Sequence, residues 1–576
     1  MKKREIGLSS FLRNFSGIRL PWVILAAGLA MSIGNYFVTL RVAELTSDVV
    51  DQSGNIARGD LSAYIVSALA MVLCTAGAFL LSGVASEKIN LSLRKKLWAK
   101  MMHLHRASYE ADQGESLVSR ITADCDFAST LFTTVIEMLS AGIGIVIYYT
   151  ELFSKNVRIS ILTLLLLPAS VLIGCLYGRL RYRISEKNQQ KLSEATGYLI
   201  ERIYNLKLVR SANMQEHERQ TAYEKFGEQY RFELRRGLLD SLDSFINAVF
   251  PVISMIIVFL LGGSFVSKGI MSAGAVYAFY LVANNASTSF SNLIHDFGSI
   301  KESFGALARV TATFSEAEEI LDGGKALQGS LDKIELSGVS FSYSDHEVLR
   351  DLTLRIPEKR ITALIGGNGA GKSTLFRLLL RFYEPRSGGI QSREVNCRDL
   401  ALRFLREEIA YIPQDHMVLG GTLRDNLNLG GQTFTDQDFD RVFAELGLID
   451  FVNGLPDRYD TEFLPDGANL SGGQKQMVAL ARAALRQSKL LLLDEATCSL
   501  DKKTEKAVSE ALLRSMRDRT VVLIAHDLRM IRLADRAVML RDGQVCYDGE
   551  PAGIERILSG QEENAGNILP GEMEKV

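Results

Sequence analysis

Six long stretches with almost no charge, all within the first 300 residues, constrain this chain more than any other feature. Leu20 to Leu40 runs uncharged between Arg19 and Arg41, and Leu61 to Ser86 runs uncharged between Asp60 and Glu87. Phe127 to Thr150 holds a single charge, Glu137, while Ile159 to Gly178, Ser244 to Ser267 and Gly269 to Ile294 hold none. The hydrocarbon core of a bilayer takes about 20 apolar residues in a helix. Core helices of a water-soluble domain are seldom this long and this uniformly apolar, so six membrane spans are expected. Lys and Arg then fix the orientation. With the N-terminus inside, the inner segments 1–19, 87–126 and 179–243 carry 25 Lys and Arg against 5 in the outer segments. Basic residues accumulate on the cytoplasmic side, so both termini are expected there. The outer loops are short. The two inner loops are long and read as helices continuing out of the membrane, since KINLSLRKKLWAKMMHLHR and LSEATGYLIERIYNLKLVRSANMQEHERQTAYEKF keep helical periodicity without Pro.

Composition narrows the partners. The 576 residues carry 65 basic and 67 acidic side chains, which gives no electrostatic footprint for nucleic acid. Six cysteines, Cys74, Cys125, Cys175, Cys397, Cys498 and Cys546, are scattered without C-x-x-C spacing and read as reduced and metal-free. The basic start MKKREIGLSS precedes an apolar run too long for a signal-peptide core, so no cleavable signal is expected, nor an extra domain ahead of the first span.

From about residue 331 the pattern changes to alternating strands and helices. RITALIGGNGAGKSTLFRLLLRF reads strand, glycine loop, helix, and contains G-x-x-x-x-G-K-S from Gly366 to Ser373. In such a loop the backbone N–H groups of Gly366, Gly367, Asn368, Gly369, Ala370 and Gly371 wrap phosphates, Lys372 reaches the β- and γ-phosphates, and Ser373 ligands Mg²⁺, with Thr374 beside it. The following helix aims its N-terminal dipole at the anion. Downstream, KLLLLDEATCSLD gives a four-leucine strand ending in Asp494 and Glu495. Two carboxylates at the end of a buried apolar strand are costly unless they serve a cation or chemistry. Asp494 is expected to hold Mg²⁺ and Glu495 to polarise the attacking water as general base.

The string LSGGQKQMVALARAAL, beginning at Leu470 about 20 residues before the Asp-Glu pair, resembles the signature motif of the ATP-binding-cassette (ABC) superfamily. The resemblance extends over almost the whole chain, to the exporter-type half-transporter: an all-α six-helix transmembrane domain followed by an α/β P-loop ATPase domain. It implies that Ser471, Gly472, Gly473 and Gln474 present hydroxyl and N–H donors to the γ-phosphate held by a second chain. It also implies that Tyr343 in VSFSYSD stacks on adenine. Gln414 in AYIPQDH would contact Mg²⁺ and water, His526 in VVLIAHDL the γ-phosphate, and Asp501 the dimer interface. Two departures stand out. CSLD from Cys498 replaces the usual SALD. Leu464, Pro465, Asp466 and Gly467 replace a Gly-Glu-Arg-Gly-like run in a loop that normally touches the membrane domain, which puts the details of coupling in doubt.

The expected layout is a transmembrane domain over 1–310, a linker over 311–330, an ATP-binding cassette over 331–561 and a disordered tail over 562–576. GESLVSRITAD from Gly114 and VRSANMQEHE from Val209 match the places of the family's coupling helices. With every catalytic position intact, the partner is expected to be an identical chain. The resemblance implies ATP-driven export of an amphiphilic drug, lipid or small peptide across a bacterial cell membrane; an importer on the same fold or an ATP-gated regulator are the alternatives. For the substrate the sequence offers Glu137, the one acidic residue inside a span, then Asn247, Asn284 and Asn285, with Tyr277 and Tyr280 weaker.

Overall fold

A computed structural model of the chain describes residues 20–52, 58–106, 117–325, 331, 333–343, 346–393, 395–415, 417–431, 433–494, 508, 510–511, 514, 518–525 and 528–558. It divides into two compact units, Met1–Met102 with Gly114–Glu316, and His103–Gln113 with Ala317–Val576.

Among the described residues the first unit is helical: α1 (Trp22–Asp51), α2 (Arg58–Met101), α3 (Cys125–Lys155, entered by a π-helical turn at Arg120–Asp124), α4 (Val157–Tyr204), the short α5 (Leu206–Ser211), α6 (Gln215–Ser267) and α7 (Ala273–Ser315). The six apolar stretches fall on the six long helices. Four of the long helices, α2, α4, α6 and α7, have 44, 48, 53 and 43 residues. At 1.5 Å per residue they are about 65–80 Å long, roughly twice a hydrocarbon core, so each continues well outside it. Among the described residues four helices are long and apolar enough to cross a membrane: Trp22–Asp51, Leu61–Met101, Leu117–Lys155 and Ala248–Ser267. Val157–Ala169 supplies a shorter apolar piece of α4. The remaining stretch, on α7, is diluted by Asn284, Asn285, Ser287, Thr288 and Ser289. Its position explains why that is tolerated. Val276, Ala278, Phe279, Val282, Ala283 and Ala286 of α7 are buried in the bundle core, where polar side chains meet other helices rather than lipid. On α2 the reverse holds: Val66, Leu69, Val72, Leu73, Phe79 and Leu80 are all exposed, as an apolar surface solvated by lipid requires.

Local chemistry sets the helix ends. Asn156 breaks α3 from α4 in an extended conformation, and its side chain accepts from the backbone N–H groups of Arg158 and Ile159. Ser272 caps α7 through the Ala275 N–H, while the Asp51 carboxylate at the end of α1 accepts from the Gly274 N–H at 2.8 Å. A Cβ at Gly274 would run into the Ser47 carbonyl, so this helix contact needs glycine.

The second unit is built on a six-stranded sheet in the order β12-β11-β3-β10-β9-β6 and a four-stranded sheet in the order β2-β1-β4-β5. The strands are β1 (Ile334–Tyr343), β2 (His346–Ile356), β3 (Ile361–Ile365), β4 (Ser387–Ser392), β5 (Val395–Asn396), β6 (Ile409–Ile412), the small hairpin β7 (Gly421–Thr422) and β8 (Glu462–Phe463), β9 (Leu490–Asp494), β10 (Thr520–Ile524), β11 (Arg536–Arg541) and β12 (Gln544–Gly549). β11, β3, β10, β9 and β6 run parallel. All five residues of β3, β9 and β10 are buried. Leu491 and Leu493 join one core, Leu490 and Leu492 the other, which is why the strand reads as an unbroken leucine run rather than an alternation. Helix α8 (Lys372–Leu379) follows β3, and α9 (Gly472–Leu485) leads towards β9.

The chain between the units is tied to the second one. Glu318 pairs with Leu104, and the Glu319 N–H donates to the His103 carbonyl. Glu319 forms a fork with Arg406 at 2.6 and 2.9 Å, and the Phe382 ring lies between the guanidiniums of Arg106 and Arg406. Most of the expected linker over 311–330 is thus helix up to Ser315 and then a strap on the second unit up to Lys325, which bonds the Asp399 and Ala401 backbone. Of the two coupling-helix strings, residues 114–116 lie outside the described residues, Leu117–Asp124 lead into α3, and the second comprises the end of α5 and a turn in which Asn213 has φ 55°.

Candidate functional site

Open parallel sheets collect ligand sites at the carboxyl ends of their strands, where the connections diverge. Here β3 ends in the glycine loop, β9 in Asp494, and β6 in Pro413 and Gln414. Ile412 pairs with Leu493, so Gln414 leaves the sheet at the same edge as Asp494.

The loop 366–371 is shaped by its glycines. Gly366 sits at φ 152°, where a Cβ would collide with the Leu540 carbonyl. Gly371 sits at φ 98° and forms the N-cap of α8, and a Cβ there would lie 2.5 Å from Leu349 Cδ2. The backbone excludes a side chain at Gly366, and at Gly371 the left-handed φ strains any side chain. Lys372, although a cation, is only 8% exposed. Its Nζ donates to the Gly366 and Gly367 carbonyls at 2.6 and 3.1 Å, inside the curve of the loop. An ammonium held there, with the start of α8 beneath it, makes an anion cradle.

Asp494 is 4% exposed, and its two oxygens are approached by two hydroxyls. Ser373 Oγ donates to Oδ1 at 3.4 Å, and the Tyr411 hydroxyl lies 3.5 Å from Oδ2. Burial and the nearby Asp494 charge push the Tyr411 phenol up to about 12, so it stays a neutral donor. Ser373, Asp494 and Gln414 offer only oxygen ligands (hydroxyl, carboxylate and amide), the hard donor set that Mg²⁺ takes together with water and phosphate.

Tyr343 ends β1 beside the loop. Its hydroxyl is 3.4 Å from Thr374 Oγ1 and accepts from Arg377 Nη1 at 2.9 Å. Phe341 and Tyr383 form T-shaped pairs with its ring at 4.9 and 5.2 Å, and the Arg377 guanidinium lies over that ring.

Ser471 opens α9 with a capping box: its Oγ accepts from the Gln474 N–H, and Gln474 Oε1 accepts from the Ser471 N–H. Ser471 and Gly472 are exposed, so the amino end of this helix is presented outward. Further along α9, Arg482 is half-buried and donates to the Asn426 and Met417 carbonyls and to Asn426 Oδ1 at 2.9, 3.2 and 3.1 Å. Burial lowers its pKa to about 10. The departing loop before the signature folds as a single turn, Pro465–Gly467, in which Asp466 and Gly467 both have positive φ and Lys475 Nζ holds the Asp466 carbonyl.

In the first unit, Ser82 of α2 donates to Glu137 Oε1 at 2.7 Å. α3 and α7 run antiparallel in a register marked by three bonds: Arg120 to Thr313, Asp124 with Arg309, and Thr130 with Ser303. Continued one heptad, that register sets Glu137 opposite Asp296. Asn285 donates to the Leu281 carbonyl of its own helix, and Thr288 donates to the Asn284 carbonyl. Asn247 lies on α6. Tyr280 packs against Phe259 and Tyr277.

The structure therefore brings the 366–371 loop with the start of α8, Asp494 and Gln414 to the carboxyl edge of the six-stranded sheet, ties Tyr343 of the other sheet to Thr374 and Arg377 of α8, and sets Ser471–Gln474 on the outward end of α9. Glu495, Asp501 and His526 lie outside the described residues. Sequence reasoning passed over Tyr411, Arg377, Arg482 and Asp296. Tyr411 carried a signal, a phenol in an otherwise apolar strand three residues before Gln414. Asp296 lies two residues beyond the last apolar stretch and was not weighed.

Residues 18–289 match the family of ABC transporter transmembrane regions, and residues 349–498 match the ABC transporter family. A multidrug resistance ABC transporter ATP-binding and permease protein of Lactococcus lactis is 26% identical over 95% of this chain and 93% of its own length. A mitochondrial potassium channel ATP-binding subunit of Xenopus tropicalis is 31% identical over 92% of this chain and 80% of its own. An ATP-dependent lipid A-core flippase of Syntrophus aciditrophicus is 28% identical over 83% and 80%.

Proposed function

This chain belongs to the ABC transporters, as an exporter-type half-transporter that couples ATP hydrolysis to transport across a membrane, and we propose that two identical copies export an amphiphilic molecule from the cytoplasm or inner leaflet. One observation carries the reading: a helical membrane unit and a complete phosphate loop, Asp494 and signature helix occur in a single chain, with the signature end facing outward.

In this reading the loop N–H groups and Lys372 hold the β- and γ-phosphates, and Tyr343 meets the adenine. Ser373, Asp494 and Gln414 hold Mg²⁺, which neutralises phosphate charge when bound. Glu495 takes a proton from the attacking water, and His526 steadies the γ-phosphate. Ser471, Gly472, Gly473 and Gln474 of the second copy close the site, with Asp501 at the interface, so ATP favours the closed pair over the open one. Ligand-biased switching of this kind reorients the membrane helices. The cassette over 331–561 thus follows a transmembrane domain over 1–310 joined through 311–330, with both termini cytoplasmic in a bacterial cell membrane. Glu137 and the facing Asp296 give the inner part of the bundle an acidic character, which favours cationic or hydroxyl-rich amphiphiles over anions. Asn247, Asn284 and Asn285 are further polar positions of that region.

A shared site has a distinctive test. Lys372→Ala and Ser471→Ala should each abolish ATPase activity, and co-expressing the two variants should restore part of it, because mixed dimers contain one intact site. No restoration would refute the shared site. Direction is read in inside-out vesicles, where ATP-driven accumulation of a fluorescent amphiphile supports export and accumulation from the opposite face supports import. The similarity to a protein named as an ATP-binding subunit of a potassium channel favours a second reading, an ATP-gated regulator. Flux that survives complete loss of hydrolysis in Glu495→Gln would decide for it.

A further inference from the structure

Tyr411 sits where a strand side chain can do more than fill space. Its ring lies edge-on to Phe376 at 6.2 Å, and Phe376 is a fully buried residue of α8. The ring is thereby fixed, and its hydroxyl reaches Asp494 Oδ2. Ser373 Oγ reaches the other oxygen, Oδ1. Two hydroxyls from two different elements therefore straddle one buried carboxylate. A hydroxyl on each oxygen opposes rotation of the carboxylate about its Cβ–Cγ bond. Tyr411 also precedes Gln414 by three residues across Pro413, whose fixed φ limits how far the two can move apart.

From this we infer that Tyr411 is a positioning residue for divalent-cation binding: it restrains Asp494 Oδ2 so that Oδ1 and Ser373 face the cation together, and it anchors the strand that presents Gln414. The inference rests on the assignment of Asp494 to the Mg²⁺ site, and the test keeps the two apart.

The full-length chain in lipid nanodiscs is mixed with ATP, and Mn²⁺ occupancy is followed by the loss of the free-ion electron paramagnetic resonance signal. Binding of a fluorescent ATP analogue is measured separately in EDTA. Tyr411→Phe keeps the ring against Phe376 and removes only the hydroxyl. It should raise the Mn²⁺ concentration for half-occupancy about three- to tenfold, the size of a hydrogen bond to a charged group at the long end of its range. Analogue binding in EDTA and the melting temperature should stay as in the wild type. Asp494→Asn should weaken Mn²⁺ binding further. If Tyr411→Phe binds Mn²⁺ like the wild type while Asp494→Asn is weakened, the role of Tyr411 is refuted and the site assignment stands. If Asp494→Asn is also unchanged, the assignment itself fails, and the inference with it. If Tyr411→Phe loses analogue binding in EDTA or melts early, its role is structural and the inference is overturned.

Discussion

The link between the signature helix and the segment after Gln414 is a half-buried guanidinium, and replacing it tests how the cassette is held together. Arg482 donates three bonds to Met417 and Asn426. Asn426 is 1% exposed and in turn donates to the Leu419 and Thr422 carbonyls and accepts from the Leu419 N–H. The stretch 417–426 is therefore pinned by one arginine acting through one asparagine. Arg482→Met keeps the aliphatic stem and removes the fork. Charge-assisted bonds contribute about 1.5–3 kcal/mol each in favourable cases. Burying the guanidinium opposes this, as its lowered pKa records. The net loss is then about 2–4 kcal/mol, which at about 1.4 kcal/mol per tenfold is roughly a 30- to 700-fold rise in local opening. Hydrogen exchange of the full-length protein reads this directly. Amide protection across 417–428 should collapse by that factor, up to the limit set by global unfolding, while amides of β3 and β10 hold their rates. Arg482→Lys, which keeps the charge but loses the planar fork, should fall between. A change below about threefold in Arg482→Met would refute the argument, because three bonds to a single segment cannot be lost that quietly unless the guanidinium's desolvation already cancels them.

Three further outcomes follow from other parts of the molecule. Asp124 is buried and forked by the half-exposed Arg309 at 2.5 and 2.9 Å, so Arg309→Met should lower stability in detergent by about 1–3 kcal/mol. Adding Asp124→Asn should recover much of that, and failure to recover it in melting experiments would show that the carboxylate charge is not the cause. Gly371→Ala places a Cβ 2.5 Å from Leu349 Cδ2 at φ 98°, and titration with a fluorescent ATP analogue should show at least about tenfold weaker binding. Asp436 and Asp460 are held below the usual carboxylate range chiefly by hydrogen bonds from Arg424. A depressed carboxylate contributes above its unfolded value near 4 and loses that contribution as pH falls through its folded value. The small melting-temperature gap between wild type and Arg424→Gln at neutral pH should therefore close below about pH 4. A gap that widens on acidification would contradict that sign.

The parts of this chain that were legible in its sequence are those where one local rule leaves a direct mark. An uncharged run of 26 residues, Leu61 to Ser86, is readable because lipid tolerates nothing else. The glycine loop is readable because Gly366 and Gly371 occupy positions that other residues cannot, and the leucines of β9 because a parallel strand is covered on both faces. What stayed hidden depends on which elements become neighbours. Hydropathy alone weakens on α7, since a helix surrounded by helices need not be uniformly apolar. Tyr411 looks like strand filling until β6 is placed beside β9 and the phenol is seen to reach Asp494.

Glu137 and Asp296 show the same division within one contact. Glu137 announces itself as a charge in an apolar run, while Asp296, just past the end of another, does not. Only the antiparallel register of α3 and α7, fixed by the Asp124 and Arg309 fork and the Thr130 and Ser303 bond, turns two unrelated positions 159 residues apart into a facing pair. The same register explains why the pair falls where it does. Towards Arg120 and Thr313 the two helices are joined by opposite charges and hydroxyls; one heptad on, the matching positions both carry carboxyl side chains. At that level Glu137 accepts from Ser82 of α2, so α3 is bonded there to a different helix than at Asp124.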